Sequence, residues 1–273
     1  MLLGIDAGNN EVKVATQYGV FAFNSCLGDY HERRIETKFQ DEMIVEYNGV
    51  TYFAGELAEK ESYYPRRSMG ASKANEDVKI RILIAVFRFS NEYSNTVIVG
   101  QPIERHLPAE KAKIKEMLIG EHTVKLNGQS KTFKIDQVII ALEGASCFFG
   151  WFTDTSTFRI IDCGSGTVNI ATIREWDQVD KESFTLNFGA NSTRTNNLNA
   201  MAQSIVSETS KYFQPNDFIL LVGGAAKAVY PVVQSAYPLT RLAIPLFLRK
   251  RVEPKFANCI GFYNLGKELL NNG

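Results

Sequence analysis

Two aspartates, Asp6 and Asp162, have the clearest chemical potential in this chain, because each ends an apolar stretch and is followed by a glycine-containing turn. The segments around them are IDAGNNEVKVAT (Ile5–Thr16) and IDCGSGTVNIAT (Ile161–Thr172). They align without a gap, 156 positions apart, and six of their twelve residues are identical. Both segments are typical of a strand, a tight turn and a second strand, so the chain carries one local device twice.

The glycines of these turns indicate a site for an anion. A tight turn between two buried strands directs several backbone N–H groups toward one point, which is the arrangement that holds a phosphate. Gly8, Gly164 and Gly166 allow positive φ and carry no side chain that would block a ligand. We therefore expect each turn to cradle a phosphate group.

The aspartate beside each turn would repel a phosphate unless a cation lies between them. A Mg²⁺ ion that keeps its waters and bridges to phosphate oxygens removes this conflict, so Asp6 and Asp162 are expected to hold Mg²⁺ through water. Lys13 follows Asp6 by seven residues and supplies a point charge for the same phosphates. Together these residues fit a magnesium-bound polyphosphate that both turns grip from opposite sides.

A third glycine element, LLVGGAAKAV (Leu220–Val229), places Gly223 and Gly224 where a predicted strand passes into a predicted helix. Two interpretations stay open here. The pair could allow the helix to pack closely on the strand, or its bare backbone could lie flat against an adenine or a ribose. The chain contains neither G-x-x-x-x-G-K-[ST] nor G-x-G-x-x-G, which excludes the P-loop and Rossmann classes of nucleotide-binding protein.

The elements that must position these residues follow from the hydrophobic pattern. Each copy of the repeat begins a predicted three-strand meander, formed by 2–5, 12–16 and 19–25 in the first copy and ended by SFTLNFGA (183–190) in the second. Helices are predicted over NEDVKIRILIAVFRFSNEY, PAEKAKIKEMLIG, TNNLNAMAQSIVSETSKYF and IGFYNLGKELLNN. Asn-Gly pairs predict hairpin turns at 48–49 and 127–128, and QVIIALEG (137–144) is predicted as a separate strand. The repetition predicts two similar lobes that face each other across a cleft.

The overall composition excludes several classes of protein. Lys+Arg and Asp+Glu both number 30, so the net charge is zero and direct non-specific binding to nucleic acid is not expected. Charged residues interrupt the first apolar stretch, which is unlike a signal peptide, and no stretch reaches the about 18 uncharged apolar residues of a membrane span. The four cysteines lack metal-ligand spacing and are expected to be small buried hydrophobes in a reducing compartment. We expect a cytoplasmic α/β protein without a membrane partner.

The order of the three glycine elements resembles that of the superfamily of actin, hexokinase and the heat-shock chaperone ATPases. In this comparison DAGNNEVK is similar to the first phosphate loop, DCGSGTVN to the second and VGGAAKAV to the adenosine loop. More closely, the chain resembles the plasmid-segregating actins of the ParM type, above all the short AlfA-like members. The segments NEDVKIRILIAVF, NTVIVGQPIERH, VKLNGQSKTFKIDQVII and FANCIGFYNLG follow the family's order over most of the length. The fold that this implies is the duplicated actin-like, ribonuclease-H-like α/β fold around a nucleotide cleft.

The resemblance also implies roles for individual residues. Nucleotide-binding residues would be Gly8, Asn9, Asn10 and Lys13 in the first loop, Gly164, Ser165, Gly166 and Thr167 in the second, and Gly223, Gly224 and Ala225 in the third. Glu143 in VIIALEGAS matches the strand end where the family places a residue that orients the attacking water. Asp6 and Asp162 would complete the catalytic set, with ATP and Mg²⁺ as cofactors. A solvated loop glutamate is the alternative for Glu143.

The resemblance further implies a domain organisation. A first actin-like domain would span 1–150, with a small inserted lobe at about 28–68 and the C-terminal helix 255–273 returning to it. The second domain, 151–254, would be truncated, because only 61 residues separate Asp162 from Gly223 and one helix, 196–213, fills an interval where the family has an outer lobe. That lobe supplies part of the purine and ribose contacts in the family.

The function implied by the resemblance is a filament-forming protein that binds and hydrolyses ATP, with GTP left open as the alternative nucleotide. Filaments of such proteins move plasmid DNA through an adaptor protein bound to centromere-like DNA. Two other classes stay open. A small-molecule kinase of the same superfamily would need an aspartate at the position of Glu143 and a polar sugar pocket. A non-polymerising scaffold would keep the fold without hydrolysis.

Overall fold

The computed structural model describes residues 1–35, 37–67, 72–151, 155–192 and 195–271. Its strands are β1 (Leu2–Ala7), β2 (Glu11–Thr16), β3 (Gly19–Asn24), β4 (Leu27–Asp29), β5 (Glu42–Tyr47), β6 (Val50–Gly55), β7 (Ser94–Gln101), β8 (Gly120–Leu126), β9 (Gln129–Leu142), β10 (Phe158–Cys163), β11 (Val168–Arg174), β12 (Asp177–Gln178), β13 (Phe184–Leu186), β14 (Ile219–Val222), β15 (Thr240–Leu242), β16 (Leu246–Phe247) and β17 (Lys250–Arg251). Its α-helices are α1 (Glu56–Glu61), α2 (Glu76–Phe89), α3 (Pro108–Leu118), α4 (Leu198–Thr209), α5 (Ala226–Ala236) and α6 (Ala257–Asn271). Short 3-10 helices cover Ile103–Arg105, Ala145–Gly150, Asp180–Glu182 and Pro254–Phe256.

The chain divides into two compact units. Unit 1 contains Met1–Val99 and Pro108–Ile140, and unit 2 contains Gly100–Leu107 and Ala141–Gly273. Helix α6 therefore groups with unit 2. The domain boundary at 150 stays a prediction, and residue 68 of the predicted lobe and residues 272–273 of the predicted last helix lie outside the described residues.

Unit 1 is built on a mixed nine-stranded sheet in the order β3-β2-β1-β7-β9-β8-β5-β6-β4. Strands β1, β2 and β3 form the predicted antiparallel meander, and β7 pairs with β1 in parallel. Both Asn-Gly turns occur where predicted: Asn48 and Gly49 have φ of 51° and 78°, and Asn127 and Gly128 have 48° and 82°. Left-handed φ at both central residues matches the twist of the flanking strands, and this fixes the hairpin registers.

Helix α2 covers the sheet of unit 1 and closes its core. Asn75 caps the helix by accepting a hydrogen bond from Val78 N at 3.0 Å, which satisfies an otherwise orphaned N–H group. The buried face of α2, which includes Ile82 and Val86, packs against β1, β2 and β8. Because β1 is buried by this helix, the turn that follows β1 starts from a rigid support.

Unit 2 repeats this plan on a smaller scale. Its sheet has the order β12-β11-β10-β14-β15, with β13 also paired to β11. Successive residues of its central strands alternate between two cores, as the pleat requires. One face contributes Ile161, Ile170 and Leu221 to a core with α4 and α5. The other contributes Ile160, Ala171 and Leu220 to a core with the 3-10 helix Ala145–Gly150 and the start of α6.

The two meanders share one register. In unit 1, Asp6 lies opposite Lys13 across the β1–β2 pair. In unit 2, Asp162 lies opposite Asn169 across the β10–β11 pair. Both partners are displaced by the 156 positions that separate the sequence repeats, so the repeat extends from the sequence to the hydrogen-bonding pattern of the strands.

The structure corrects several predicted element boundaries. Strand β9 runs without a break from Gln129 to Leu142, although the sequence predicts a hairpin arm and a separate strand. Helix α4 covers only Leu198–Thr209 of the predicted 196–213, because Asn196 has a left-handed φ of 45° and Asn197 caps the helix. Helix α1 and the 3-10 helix Ala145–Gly150 were not predicted.

Two composition-based expectations also bear on the structure. All four cysteines, Cys26, Cys147, Cys163 and Cys259, are free and buried, as expected from the apolar stretches that contain them. Within the described residues, no helix combines the length and the apolar character needed to cross a membrane.

Candidate functional site

The first candidate turn joins β1 to β2 and is flanked by a partly buried ion pair. Lys13 Nζ donates to Asp6 Oδ2 at 3.1 Å, and the exposed fractions of the two side chains are 13% and 9%. The pair forms because the β1–β2 register places the two residues directly opposite each other. It holds the ammonium beside the turn and prevents Asp6 from being a buried, unpaired charge.

Donors from elsewhere in unit 1 bind the carbonyl groups of this turn. Lys73 Nζ donates to Ala7 O at 3.0 Å, and the lysine is 9% exposed. Ser25 donates from Oγ to Asn9 O at 2.5 Å and from its backbone N–H to Asn10 O at 3.1 Å. These contacts fix the conformation of the turn through its carbonyl oxygens.

A fully buried arginine contacts Ser25, the residue that binds two carbonyl groups of the same turn. Arg81 of α2 is 0% exposed, and its Nε donates to Ser25 O at 2.7 Å. Burial lowers the pKa of this guanidinium to about 10, so Arg81 stays charged at neutral pH. The helix is thereby connected to the turn through a single serine.

Glycine was predicted in these turns for two reasons, its access to positive φ and its lack of a side chain, and only the second applies to Gly8 and Gly164. Neither Gly8 nor Gly164 has a φ in the left-handed region, so it is space rather than backbone conformation that demands glycine there. A Cβ on Gly8 would lie 2.8 Å from Glu11 O and 3.0 Å from Lys13 Nζ. A Cβ on Gly164 would lie 2.7 Å from Thr167 O.

The second candidate turn joins β10 to β11 in unit 2. Gly164 N donates to Thr167 O at 3.0 Å and closes the turn on itself. The backbone N–H groups of Ala190 and Asn191 donate to Gly164 O at 3.0 Å and to Ser165 O at 2.8 Å. As in unit 1, protein donors therefore hold the carbonyl groups of the turn.

Glu143 follows strand β9 and is buried, with an exposed fraction of 6%. Asn169 Nδ2 donates to Glu143 Oε2 at 3.4 Å, and Thr185 Oγ1 donates to Asn169 Oδ1 at 2.8 Å. The backbone N–H of Glu143 donates to Gln101 O at 3.0 Å. The alternative of a solvated loop glutamate does not agree with this burial, because solvated carboxylates are exposed.

Asp162 lies against the turn that carries Glu143. Asp162 is 4% exposed, and a Cβ on Gly144 would lie 3.4 Å from Asp162 Cβ. Asn258 joins the two, since its Nδ2 donates to Asp162 Oδ2 at 2.9 Å and its Oδ1 accepts from Gly144 N at 3.0 Å. Burial and then the charge of Asp162 raise the pKa of the Cys147 and Cys163 thiols, so both are neutral.

The third glycine element lies beside the same aspartate. Gly223 has a φ of 95°, and a Cβ there would lie 2.5 Å from Cys163 O and 2.6 Å from Asp162 Oδ1. Gly223 N donates to Pro254 O at 3.2 Å, and Ala225 N donates to Cys163 O at 3.1 Å. Gly224 is exposed, and among the described residues no atom lies within 4 Å of a Cβ placed on it. The packing interpretation thus suits Gly223, whereas Gly224 leaves room for a ligand.

The predicted site residues therefore form one group in each unit. Asp6, Gly8, Asn9, Asn10 and Lys13 share the first turn of unit 1. The residues grouped in unit 2 are Glu143, Asp162, Gly164, Ser165, Gly166, Thr167, Gly223, Gly224 and Ala225. Their roles in binding and catalysis stay predictions.

Sequence reasoning missed five residues that support these groups: Ser25, Lys73, Arg81, Asn169 and Asn258. Asn169 could have been found, because it aligns with Lys13 in the repeat. The other four make contacts between distant parts of the chain and lie outside the repeated motif.

Asp6 and Asp162 supply carboxylate oxygens, the ligand type that Mg²⁺ prefers, and each has a side-chain nitrogen that donates to one of its oxygens. Among the described residues, no group of three or more His, Cys, Asp or Glu side chains could hold a metal ion. The assignment of Mg²⁺ to the two aspartates stays a prediction.

A comparison with protein families gives a match to the N-terminal domain of actin-like proteins over residues 4–145, more than half of the chain. The chain belongs to the actin-like protein family. A comparison with curated protein sequences gives no match.

Solved structures of actin-like proteins share this fold. AlfA from B. subtilis plasmid pLS32, in a filament, is 22% identical, with 95% of this chain and 97% of AlfA covered and a TM-score of 0.76. An AlfA filament bound to AMPPNP is 22% identical, with coverages of 99% and 98% and a TM-score of 0.78. The apo ParM protein of psk41 is 18% identical, with coverages of 99% and 98% and a TM-score of 0.75. At these identities the similarity establishes the actin-like fold.

Proposed function

We propose that this actin-like protein binds and hydrolyses ATP with Mg²⁺ and forms filaments that segregate plasmid DNA through an adaptor protein. The observation that carries the proposal is the pair of register-equivalent turns, one beside a partly buried lysine and the other beside a buried glutamate. Filaments and a bound nucleotide analogue in AlfA, a protein of the same fold, support it. We also retain the proposal of an actin-like domain boundary near residue 150.

In this proposal, separate residues of the chain bind the phosphates, the adenosine and the metal ion. Lys13 and the turn amides of Gly8, Asn9 and Asn10 neutralise and orient phosphate oxygens in unit 1, and the turn Gly164–Thr167 does the same in unit 2. Gly224 offers bare backbone to the adenosine. Mg²⁺, held through water by Asp6 and Asp162, would neutralise charge that develops on the phosphates.

Glu143 is the group that acts on water. Its carboxylate orients a water molecule for in-line attack on the γ-phosphorus and accepts the proton that the water loses. The bond from the γ-phosphorus to the β–γ bridging oxygen breaks, and ADP leaves with the bonding electrons. Asn169 contributes by holding Glu143 Oε2 in one orientation.

Filament formation follows from a head-to-tail contact that does not close into a ring. In this proposal the ATP-bound protomer is competent for that contact, and loss of the γ-phosphate weakens it. The balanced formal charge of 30 cations and 30 anions agrees with DNA contact through an adaptor instead of through the filament itself.

The test is sedimentation of the purified protein with Mg-ATP, Mg-AMPPNP, Mg-ADP or no nucleotide, with phosphate release measured in parallel. We expect pelleting with ATP and AMPPNP that exceeds pelleting with ADP, and phosphate release with ATP alone. A protein that stays in the supernatant at every concentration would contradict the filament function. Phosphate transfer to a small hydroxyl compound would support a kinase, and nucleotide-independent assembly would support a scaffold.

A further inference from the structure

The 3-10 helix Pro254–Phe256 and the beginning of helix α6, which follows it directly, contact three segments of unit 2 that carry predicted site residues. Pro254 O accepts a hydrogen bond from Gly223 N of the third glycine element at 3.2 Å. Four residues later, Asn258 donates to Asp162 Oδ2 at 2.9 Å and accepts from Gly144 N at 3.0 Å. Pro254 therefore touches the predicted adenosine turn, and Asn258 of α6 touches both the aspartate of the second predicted phosphate turn and the turn that carries Glu143.

We propose that Asn258 is a positioning residue for ATP hydrolysis, which sets the Asp162 carboxylate and the Glu143–Gly144 backbone in one fixed arrangement. The inference rests on the proposed ATPase function. Asn258 acts through its neighbours and is not itself assigned a contact with the nucleotide.

The chemistry of the two contacts requires an amide side chain. A carboxylate oxygen of Asp162 needs a donor, and the backbone N–H of Gly144 needs an acceptor. Asparagine supplies both from one planar group. Aspartate keeps the size and the acceptor but places a second carboxylate against Asp162. Alanine supplies neither partner and leaves two buried polar groups unsatisfied.

The position of Asn258 in its helix indicates that these contacts are not local capping. Asn258 is the second residue of α6 and follows the 3-10 helix Pro254–Phe256, so it does not stand at the Ncap position, where an asparagine oxygen accepts from N–H groups of its own first turn. Here Oδ1 accepts instead from Gly144, 114 positions away, and Nδ2 donates to Asp162, 96 positions away. The side chain is 7% exposed, so water does not compete for either contact.

A second observation connects Asn258 to the orientation of Glu143. Gly144 has a φ of 75°, and a Cβ there would lie 3.2 Å from Asn169 Cβ, so the turn is held closely between Asn169 and Asn258. Asn169 holds the carboxylate of Glu143 and Asn258 holds the backbone that follows it. Loss of the Asn258 contacts would allow this turn to shift, and a shift of about 1 Å in a catalytic group costs up to about 100-fold in rate.

The experiment measures kcat and KM for phosphate release, AMPPNP affinity and the melting temperature of full-length variants. The variants are Asn258→Asp, which keeps the shape, and Asn258→Ser, which is small and keeps an acceptor. Asn197→Asp is the matched control, because Asn197 also begins a helix but is exposed and caps only α4. For both Asn258 variants we expect kcat to fall about 10- to 100-fold. We expect AMPPNP affinity to stay within about threefold, and we expect no change for the control.

Two outcomes would overturn the inference. Asn258→Asp or Asn258→Ser with wild-type kcat would show that the contacts do not position the catalytic groups. Parallel losses of kcat, AMPPNP affinity and melting temperature would show a merely structural role. If the wild-type protein releases no phosphate, the proposed ATPase function fails first and the inference fails with it. If the wild-type protein hydrolyses ATP and an Asn258 variant hydrolyses it with the same kcat, the inference fails while the proposed ATPase function stands.

Discussion

Asn169 occupies in the second repeat the register position that Lys13 occupies in the first. The same strand pair therefore presents a cation to Asp6 in unit 1 and a neutral amide beside Asp162 in unit 2. Lys13 pairs with its own aspartate, whereas Asn169 donates to Glu143. The two strand pairs therefore share a register but differ in chemistry at this position, where one has a cation paired with Asp6 and the other has an amide that donates to Glu143.

The Asp6–Lys13 pair gives a prediction about stability and binding. Lys13→Met leaves the Asp6 carboxylate buried without its cation, which costs about 3–5 kcal/mol of unfolding free energy. The variant also loses the proposed contact of Lys13 with phosphate, so we expect nucleotide affinity to fall. Denaturant unfolding and nucleotide titration measure the two effects.

The double variant Asp6→Asn/Lys13→Met separates these effects. It removes both buried charges, so we expect most of the unfolding free energy to return while nucleotide affinity stays low. Recovery of nucleotide binding in the double variant would show that Lys13 serves only the ion pair.

Glu143→Gln tests the hydrolytic role of the buried carboxylate. The amide has nearly the same shape but cannot accept a proton from water, so we expect phosphate release to fall about 10²–10⁴-fold. Nucleotide binding and ATP-dependent pelleting should persist. Glu116→Gln, an exposed change on α3, is the control and should leave every rate unchanged. A Glu143→Gln protein with the wild-type rate would remove Glu143 from the mechanism.

The adjacent glycines of the third element provide a matched pair of substitutions. Gly223→Ala forces a left-handed residue and a Cβ at 2.6 Å from Asp162 Oδ1, so we expect a loss of at least about 1–3 kcal/mol of stability. Gly224→Ala meets no described atom within 4 Å, and we expect an unchanged melting temperature with weaker nucleotide binding. If Gly224→Ala binds AMPPNP as the wild type does, the adenosine does not lie on Gly224.

A buried histidine in unit 1 predicts the acid limit of stability. His122 Nδ1 is 2.9 Å from Tyr47 Oη, and Nε2 is 2.8 Å from Leu118 O, so the neutral ring with a proton on Nε2 satisfies both contacts. Burial, opposed by the Leu118 contact, lowers the pKa of His122 from 6.5. Below pH 6.5 His122 is protonated in the unfolded chain but still neutral in the folded chain. The free energy of unfolding therefore falls as the pH drops from about 7 toward the pKa of His122 in the folded chain.

Thermal unfolding between pH 7.5 and 5 measures this dependence. His122→Gln removes the titrating group, so its melting temperature should change less over this pH range than that of the wild type. Equal slopes in the two proteins would place the acid sensitivity elsewhere.

Sequence patterns predicted the elements whose formation depends on residues close together in the chain. The meanders, the Asn-Gly hairpins and helix α3 follow from alternation, turn chemistry and apolar spacing within short windows. The continuous β9 was missed because Gly144, not the polar residues near Asp136, is where the backbone turns. The early end of α4 was missed because apolar spacing continues past Thr209, whose hydroxyl bonds Tyr237 from a distant helix end.

The candidate site was predictable where the motif repeats and not where contacts are long-range. Asp6, Lys13 and Asp162 lie in the repeat, and the structure places Asp6 and Asp162 at equivalent register positions, with Lys13 opposite Asp6. Lys73 reaches Ala7 across 66 positions and Asn258 reaches Asp162 across 96. No spacing rule connects such pairs, because the fold alone brings them together.

The four buried cysteines have a practical consequence for studies of assembly. Burial raises the pKa of Cys26, Cys147 and Cys163, and Cys259 Sγ is engaged by Phe256 O, so thiol-reactive dyes will label the native chain slowly. A single cysteine introduced at an exposed site such as Tyr18 would become the one fast-reacting thiol. Growth of the proposed filaments could then be followed by fluorescence microscopy without removing any native cysteine.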